Sequence, residues 1–344
     1  MAPWREVPYE IRDVTPEEDK IIKKCLIGYT KPFVKCGKNE YVMPNVFRKH
    51  AEYIYNFKVR PDDIWVVTYP RSGTTWTQEM VWLLENELDF EASIKKPLYE
   101  RFPMLEITTQ IPEIAVELIK INFMNLAKFQ GLNKAVKRPS WETINEAPSP
   151  RFIKTHLPLS LLPPNLLDTA KVIYVARDPR DVMVSNYYLH KMVVKGLLRG
   201  TFMQFWEAYR RDIFPYMPLI SHANEAWEQR HHPNLLFMFY EDMLQDLPKH
   251  IHSVSDFLQK TITDEQVEKL AGHLSFKNLK KNKNVNNSTG DTEIQFIRKG
   301  EVGGWKTHFD AKMELQAEEY LNTRLKGLSL QFPTYDNDDE CSRL

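Results

Sequence analysis

The chain has 344 residues, enough for one large or two ordinary domains, and its 42% apolar and 27% charged residues are the proportions of a soluble globular protein. Lysine plus arginine equals aspartate plus glutamate, 46 against 46, so no net basic field exists to draw in nucleic acid or an acidic membrane surface. No uninterrupted apolar run is long enough to span a bilayer, and the opening Met-Ala-Pro-Trp-Arg-Glu-Val-Pro lacks the apolar core of a signal peptide.

Cys25, Cys36 and Cys341 are few, odd in number and without metal-ligand spacing, which fits a reducing cytoplasm and no bound metal. In that compartment the glycosylation-type triplets beginning at Asn286 and Asn287 would go unused.

Residues 1–50 read as a polar, irregular N-terminal segment with one helix, from Pro16 to Leu26. Thr15 followed three residues later by Glu18 has the form of a capping box. Residues 51–333 then alternate strand-like and helical patterns. Strands are expected at 64–68, 151–155, 171–176 and 234–240, and helices at 74–88, 180–193 and 245–260. That alternation predicts a single α/β domain with a central parallel sheet flanked by helices on both faces, and ligands at the carboxyl ends of its strands.

After the first of these strands comes Thr68-Tyr-Pro-Arg-Ser-Gly-Thr-Thr-Trp76. Pro70 stops the strand, Gly73 permits a tight turn, and Thr74 and Thr75 open an amphipathic helix. Free N–H groups and the positive helix end make a cradle for phosphate-like oxygens, with Arg71 as a fixed cation. The loop is P-loop-like without the Gly-Lys-Ser/Thr triad, since Thr74 follows Gly73, so ATP and GTP are poor candidates. The alternative is an ordinary strand–helix turn with a hydroxyl cap.

Residues 89–148 form a long excursion rich in Phe, Met, Leu and Ile, expected to fold as helices over something apolar, with 107–148 as a lid. The next strand ends in Lys154-Thr-His-Leu-Pro158. Strand alternation puts Lys154 and His156 on one side, about 7 Å apart. A neutral imidazole there would accept a proton and the ammonium would stabilise a developing anion. A salt-bridged lysine and a hydrogen-bonded core histidine are the plainer alternative.

The third strand leads into Arg177-Asp-Pro-Arg-Asp181-Val-Met-Val-Ser185. Pro179 suits a first helical position, and Arg177 and Ser185 would both donate to one phosphate. Arg298-Lys299-Gly300, followed by Gly303-Gly304-Trp305, supplies a second basic cluster on a glycine-shaped loop, or else a solvated turn. Trp76 and Phe276 are candidates to sandwich a purine, against plain core packing for each. Residues 277–293 read as a mobile loop, and 334–344 as a disordered acidic tail.

Tyr-Pro-Arg-Ser-Gly-Thr-Thr-Trp, Lys-Thr-His-Leu-Pro, Arg-Asp-Pro-Arg-Asp-Val-x-Val-Ser, Phe-Tyr-Glu-Asp-Met and Arg-Lys-Gly-x-x-Gly-x-Trp occur here in the order found in cytosolic sulfotransferases. From about Arg60 to Phe309 the chain resembles that family, with the flavour of an insect-type branch that includes a retinol dehydratase and phenol and alcohol sulfotransferases. The resemblance implies that residues 51–333 are a sulfotransferase domain. It implies a co-substrate, 3′-phosphoadenosine-5′-phosphosulfate (PAPS), released as PAP, with no metal.

It also implies roles. Arg71, Ser72, Gly73, Thr74 and Thr75 would hold the 5′-phosphosulfate. Trp76 and Phe276 would stack on adenine, with Tyr240 near it. Arg177, Ser185, Arg298, Lys299 and Gly300 would hold the 3′-phosphate. His156 would take the acceptor's hydroxyl proton, and Lys154 and Arg71 would stabilise the group in transfer. Phe102, Met104 and His156 would face a small, largely apolar hydroxyl acceptor.

Several positions depart from the family pattern. Arg71 stands where lysine is usual, Leu274 replaces a threonine on the adenine side, and Gly304 replaces an aspartate. Asp310, Ala311 and Leu315 break the short dimer motif that begins at Lys306. A homodimer is still an open expectation, although the family's usual motif for it is broken. A dehydratase acting on an allylic alcohol, and a non-catalytic nucleotide or lipid binder, are the competing readings.

Overall fold

A computed structural model of the protein describes residues 4–120, 130–193, 200–286, 297 and 300–334. Near the N-terminus, β1 (Ile11–Asp13), β2 (Val34–Cys36) and β3 (Tyr41–Met43) form a small antiparallel sheet. The Pro16–Cys25 helix between β1 and β2 carries the expected capping box, with both Thr15 and Glu18 bonds made. The expectation of an irregular N-terminal segment is therefore corrected. Its strands are three residues long, too short for alternation to register, yet Tyr41, Val42 and Met43 are wholly buried in the main core.

The central sheet contains β4 (Ile64–Thr68), β5 (Phe152–Thr155), β6 (Lys171–Ala176) and β7 (Leu235–Phe239), all parallel, in the order β5-β4-β6-β7. Burial on both faces explains their unbroken apolar runs. Alternate residues separate cleanly: Trp65, Val67, Val172 and Tyr174 enter one core, and Ile64, Val66, Ile173 and Val175 the other. Helices Pro179–Val193, Phe202–Arg210 and Leu219–Glu228 cover the first face. Helices Thr74–Glu85, Leu247–Leu258 and Asp264–Leu274 cover the second.

From β4 the chain passes to a neighbour on one side, then crosses to the other side for β6. That reversal opens a crevice at the carboxyl end of β4. The edge of β5 is not bare. Residues 103–105 run alongside it, with Lys154 N donating to Pro103 O at 3.0 Å and Leu105 N to Lys154 O at 2.9 Å. At the opposite end of the sheet, Arg151 Nε donates to Asp63 Oδ1 at 2.7 Å and Arg151 Nη2 to Lys58 O at 2.7 Å, which ties the starts of β4 and β5 together.

Three boundaries differ from the sequence reading. The expected helix over 245–260 is Leu247–Leu258, begun by Asp246, which caps it by accepting from Lys249 N at 3.0 Å, and a separate helix, Tyr240–Gln245, precedes it. Tyr240 consequently opens a helix instead of ending β7. Residues 277–281 belong to the Phe276–Lys281 helix instead of a loop, while 287–293 and the acidic tail from 335 lie outside the described residues. The excursion over 89–148 is helical where described, as in Glu113–Lys120, Gln130–Lys137 and Ser140–Glu146. No helix among the described residues is long and apolar enough to cross a membrane.

Candidate active site

The loop after β4 is shaped by two residues with left-handed backbone, Arg71 (φ 72°) and Gly73 (φ 101°). Gly73 has a second reason to lack a side chain, since a Cβ there would lie 2.9 Å from the Tyr240 ring. Gly73 then caps the Thr74–Glu85 helix, so the N–H groups of Thr74, Thr75 and Trp76 sit in a first turn without helical acceptors. Thr74 Oγ1 lies 2.6 Å from Thr68 Oγ1, and Arg71 Nε donates to Ser185 Oγ at 2.9 Å. Ser72 is buried, its N–H donates to Tyr69 O, and it does not line the cavity described below.

His156 follows β5 and is held from three directions. Its Nδ1 lies 2.9 Å from Thr68 O. A carbonyl only accepts, so Nδ1 carries the proton and Nε2 keeps its lone pair. His156 N donates to Glu106 Oε1 at 2.8 Å, and His222 Nε2 donates to His156 O at 2.9 Å. Tyr174 OH lies 2.7 Å from His222 Nδ1 and donates to it, so that histidine's tautomer is fixed as well. Burial, followed by the charge of Lys154, pushes the His156 pKa down to about 3, leaving it neutral at physiological pH. Burial also lowers Lys154, to about 8, against the opposing pull of Glu106.

Glu106 escaped the sequence reading. It is fully buried, accepting from Thr155 Oγ1 at 2.7 Å, His156 N at 2.8 Å and Tyr216 OH at 3.2 Å. Burial raises its pKa, and those three donors oppose the rise. An acidic residue closing the apolar run Phe102-Pro-Met-Leu was the available signal, because a carboxylate in such a run needs a built set of donors.

Arg177 leaves the end of β6 and spans the site, Nη1 donating to Arg71 O at 3.2 Å and Nη2 to Glu301 O at 3.0 Å. Its guanidinium lies 4.2 Å from the centre of the Tyr240 ring, and its Nε is buried with no partner among the described residues. Asp181 pins the glycine-rich loop by accepting from Gly303 N at 2.7 Å and Trp305 N at 3.0 Å. Arg180 turns away from the site, to Asp178 and over the Trp305 ring. Gly300 (φ 71°) lies directly on Phe276, where a Cβ would come within 2.5 Å of the ring. Trp76 meets Tyr240 edge-on at 5.6 Å. Arg298 and Lys299 lie outside the described residues.

These groups share one cavity of about 690 Å³. At one end are Arg71, Gly73, Thr74, Thr75, Trp76, Arg177, Ser185, Tyr240, Phe276 and Gly300; Lys154 and His156 also line it. The other end is mainly apolar, walled by Leu26, Ile27, Met104, Ile107, Ile111, Pro112, Leu189 and Pro215. Part of that wall comes from residues 26–30, bonded to residues 110–114: Tyr29 OH donates to Gln110 O at 3.0 Å, Thr30 N to Glu113 Oε2 at 3.1 Å, and Ile114 N to Gly28 O at 3.1 Å.

Phe102 requires a correction. It does not line the cavity but is wholly buried against Phe152, because it closes the Leu98–Arg101 helix instead of sharing a strand face with Met104. Among the described residues no group of three or more His, Cys, Asp or Glu side chains is placed to hold a metal ion.

The first-turn N–H groups, the unpartnered Arg177 Nε and the glycine cradles fit a ligand bearing more than one anionic group and an aromatic base. Fold and site together define a class of transferase, one that takes an anionic group from a nucleotide-type donor and hands it to a second molecule in the same cavity. Residues 61–329 match the model of the sulfotransferase domain, and the chain belongs to that family. It is a PAPS-dependent sulfotransferase.

The chain is 33% identical to sulfotransferase 1E1 of Bos taurus over 84% of its own length and 93% of that protein. It is 41% identical to a retinol dehydratase solved with retinol and PAP, with a TM-score of 0.88 over 95% of this chain and 99% of that one. The same identity, with a TM-score of 0.87 over 95% and 98%, holds for a retinol dehydratase solved with androsterone and inactive cofactor PAP.

Proposed function

We propose that the protein transfers the sulfuryl group of PAPS to the hydroxyl of a small, largely apolar acceptor, a phenol, steroid or other alcohol, with His156 as general base. The observation that carries this is the His156 tautomer. A carbonyl fixes the proton on Nδ1, and Nε2 is left with its lone pair in a cavity shared by Lys154 and the anion cradle. Bound PAPS supplies an activated sulfuryl group and a leaving phosphate. Such a transfer depends on positioning and on charge already in place.

In this reading the N–H groups of Thr74 and Thr75, with Arg71, hold the 5′-phosphosulfate. Arg177 and Ser185, joined by Arg298 and Lys299, hold the 3′-phosphate, and Trp76, Phe276 and Tyr240 frame the base. Lys154 offsets charge on the bridging oxygen. His156 accepts the hydroxyl proton as that oxygen attacks. A cytoplasmic setting agrees with the sequence, and no dimer through the usual motif is expected.

Dehydration is the second reading, favoured by the two retinol dehydratase structures. An allylic alcohol would be sulfonated at the same site and would then lose sulfate. PAPS-dependent assays across phenols, steroids, ecdysteroid-like alcohols and retinoids, with product masses determined, test both readings. A mass gain of one sulfuryl group supports transfer, and loss of water supports dehydration. If no acceptor yields PAP and PAPS does not bind, the proposal fails.

The Gly300 cradle gives a sharper test. Gly300→Ala would place a methyl in the Phe276 ring and strain a left-handed backbone, at a cost on the order of 1–3 kcal/mol. PAP affinity measured by calorimetry should therefore fall by roughly tenfold or more, with less change in acceptor KM. Unchanged PAP affinity would remove Gly300 and Phe276 from the nucleotide site.

A further inference from the structure

Two groups that line the cavity remain unused by the mechanism. Asn186 and His190 stand one turn apart on the Pro179–Val193 helix, and both line the cavity. His190 Nδ1 lies 2.9 Å from Asn186 O, and because a carbonyl only accepts, Nδ1 carries the proton. The lone pair is therefore on Nε2, which makes no hydrogen bond among the described residues. Burial lowers the His190 pKa to about 4, so the ring is neutral at physiological pH. Asn186 is only 1% exposed, and its Oδ1 is buried without a partner.

Other polar side chains near this end are engaged with the protein. Tyr29 OH donates to Gln110 O, Gln110 Nε2 to Thr109 Oγ1 at 2.9 Å, and Tyr216 OH to Glu106. Asn186 Oδ1 and His190 Nε2, two acceptors without donors among the described residues, lie in a largely apolar cavity wall and call for a donor from the ligand. Leaving a buried acceptor unmatched is costly, so a ligand that supplies the donor is preferred over one that does not.

We infer that Asn186 and His190 receive a second hydroxyl of the acceptor, distinct from the one that is sulfonated, so that the preferred substrate class is an apolar diol. This rests on the acceptor reading above, in which His156 takes the proton of the reacting hydroxyl. The second hydroxyl is held, not transformed. A site that hydrogen-bonds a substrate group discriminates strongly against the analogue lacking it.

The test compares alkylphenols of graded chain length with the matching ω-hydroxyalkylphenols. At the length that spans the two sites, kcat/KM for the diol should exceed that of its partner by about tenfold or more, mainly through KM. His190→Phe keeps the ring volume but removes the lone pair, and should bring the ratio close to one. Asn186→Leu should lower the ratio as well, and it decides the matter if His190→Phe does not fold, PAP binding reporting the fold of each. No diol preference at any length, or a preference that survives both substitutions in PAP-binding protein, overturns the inference. Absence of turnover for every member, diol or not, overturns the acceptor reading and the role of the pair with it.

Discussion

His156→Ala is expected to lower kcat by about a hundred- to ten-thousand-fold while leaving PAP affinity close to that of the parent protein. The imidazole presents a single lone pair to the acceptor half of the cavity, whereas the anion cradle is built from the loop after β4 and from Arg177. Removing the ring takes away the proton acceptor without touching those donors.

The pH dependence separates His156 from its neighbour. With His156 depressed to about 3, its own protonation lies well below neutral pH. Lys154, held at about 8 in the free protein, loses its charge as pH rises through that value, so kcat/KM should fall on the alkaline side. Normal turnover in His156→Ala, measured as PAP release, would sink the assignment of this residue as base.

Glu106→Ala should be the most damaging substitution to the architecture of the site. It strips acceptors from three buried donors at once: the Thr155 hydroxyl, the His156 amide and the Tyr216 hydroxyl. Each orphaned donor costs about 1–3 kcal/mol, partly relieved by relaxation, so a net loss of about 3–5 kcal/mol is expected. The alanine protein should unfold at clearly lower urea concentration, and what remains folded should turn over slowly because His156 is no longer anchored. Glu106→Gln is not a neutral substitute, since its amide nitrogen would face a donor where the carboxylate offers an acceptor. A urea midpoint and kcat matching the parent in Glu106→Ala would show that these bonds are dispensable.

Much of this site was legible because its parts follow strands. Thr68–Trp76, Lys154 with His156, and Arg177 with Ser185 each stand at the carboxyl end of a run whose apolar pattern marks a buried strand, and a parallel sheet gathers those ends. Glu106 and His222 reach the site by other means. Glu106 is brought there by a short edge pairing beside β5, and His222 by the packing of a helix, and neither leaves a periodic trace. Phe102 and Met104 show the same limit from the other side. Phe102 caps the Leu98–Arg101 helix and turns into the core, while Met104 two residues on pairs beside β5 and lines the cavity, a divergence that nothing in the local sequence marks. The three-residue strands near the N-terminus are defined by long-range pairing, which local sequence carries too weakly to reveal.

The bonds between residues 28–30 and residues 110–114 have a consequence for what counts as the functional unit. The matched sulfotransferase region begins at residue 61, yet Leu26, Ile27 and Tyr29 form part of the cavity wall. A polypeptide trimmed to that region would retain every donor-side group named above from Arg71 onward. It would also lose one side of the room in which the acceptor lies, and the carbonyl of Gly28 that Ile114 N donates to. On the reading proposed above, the groups assigned to the nucleotide from Arg71 onward lie within the matched span, while part of the cavity wall assigned to the acceptor lies upstream of it.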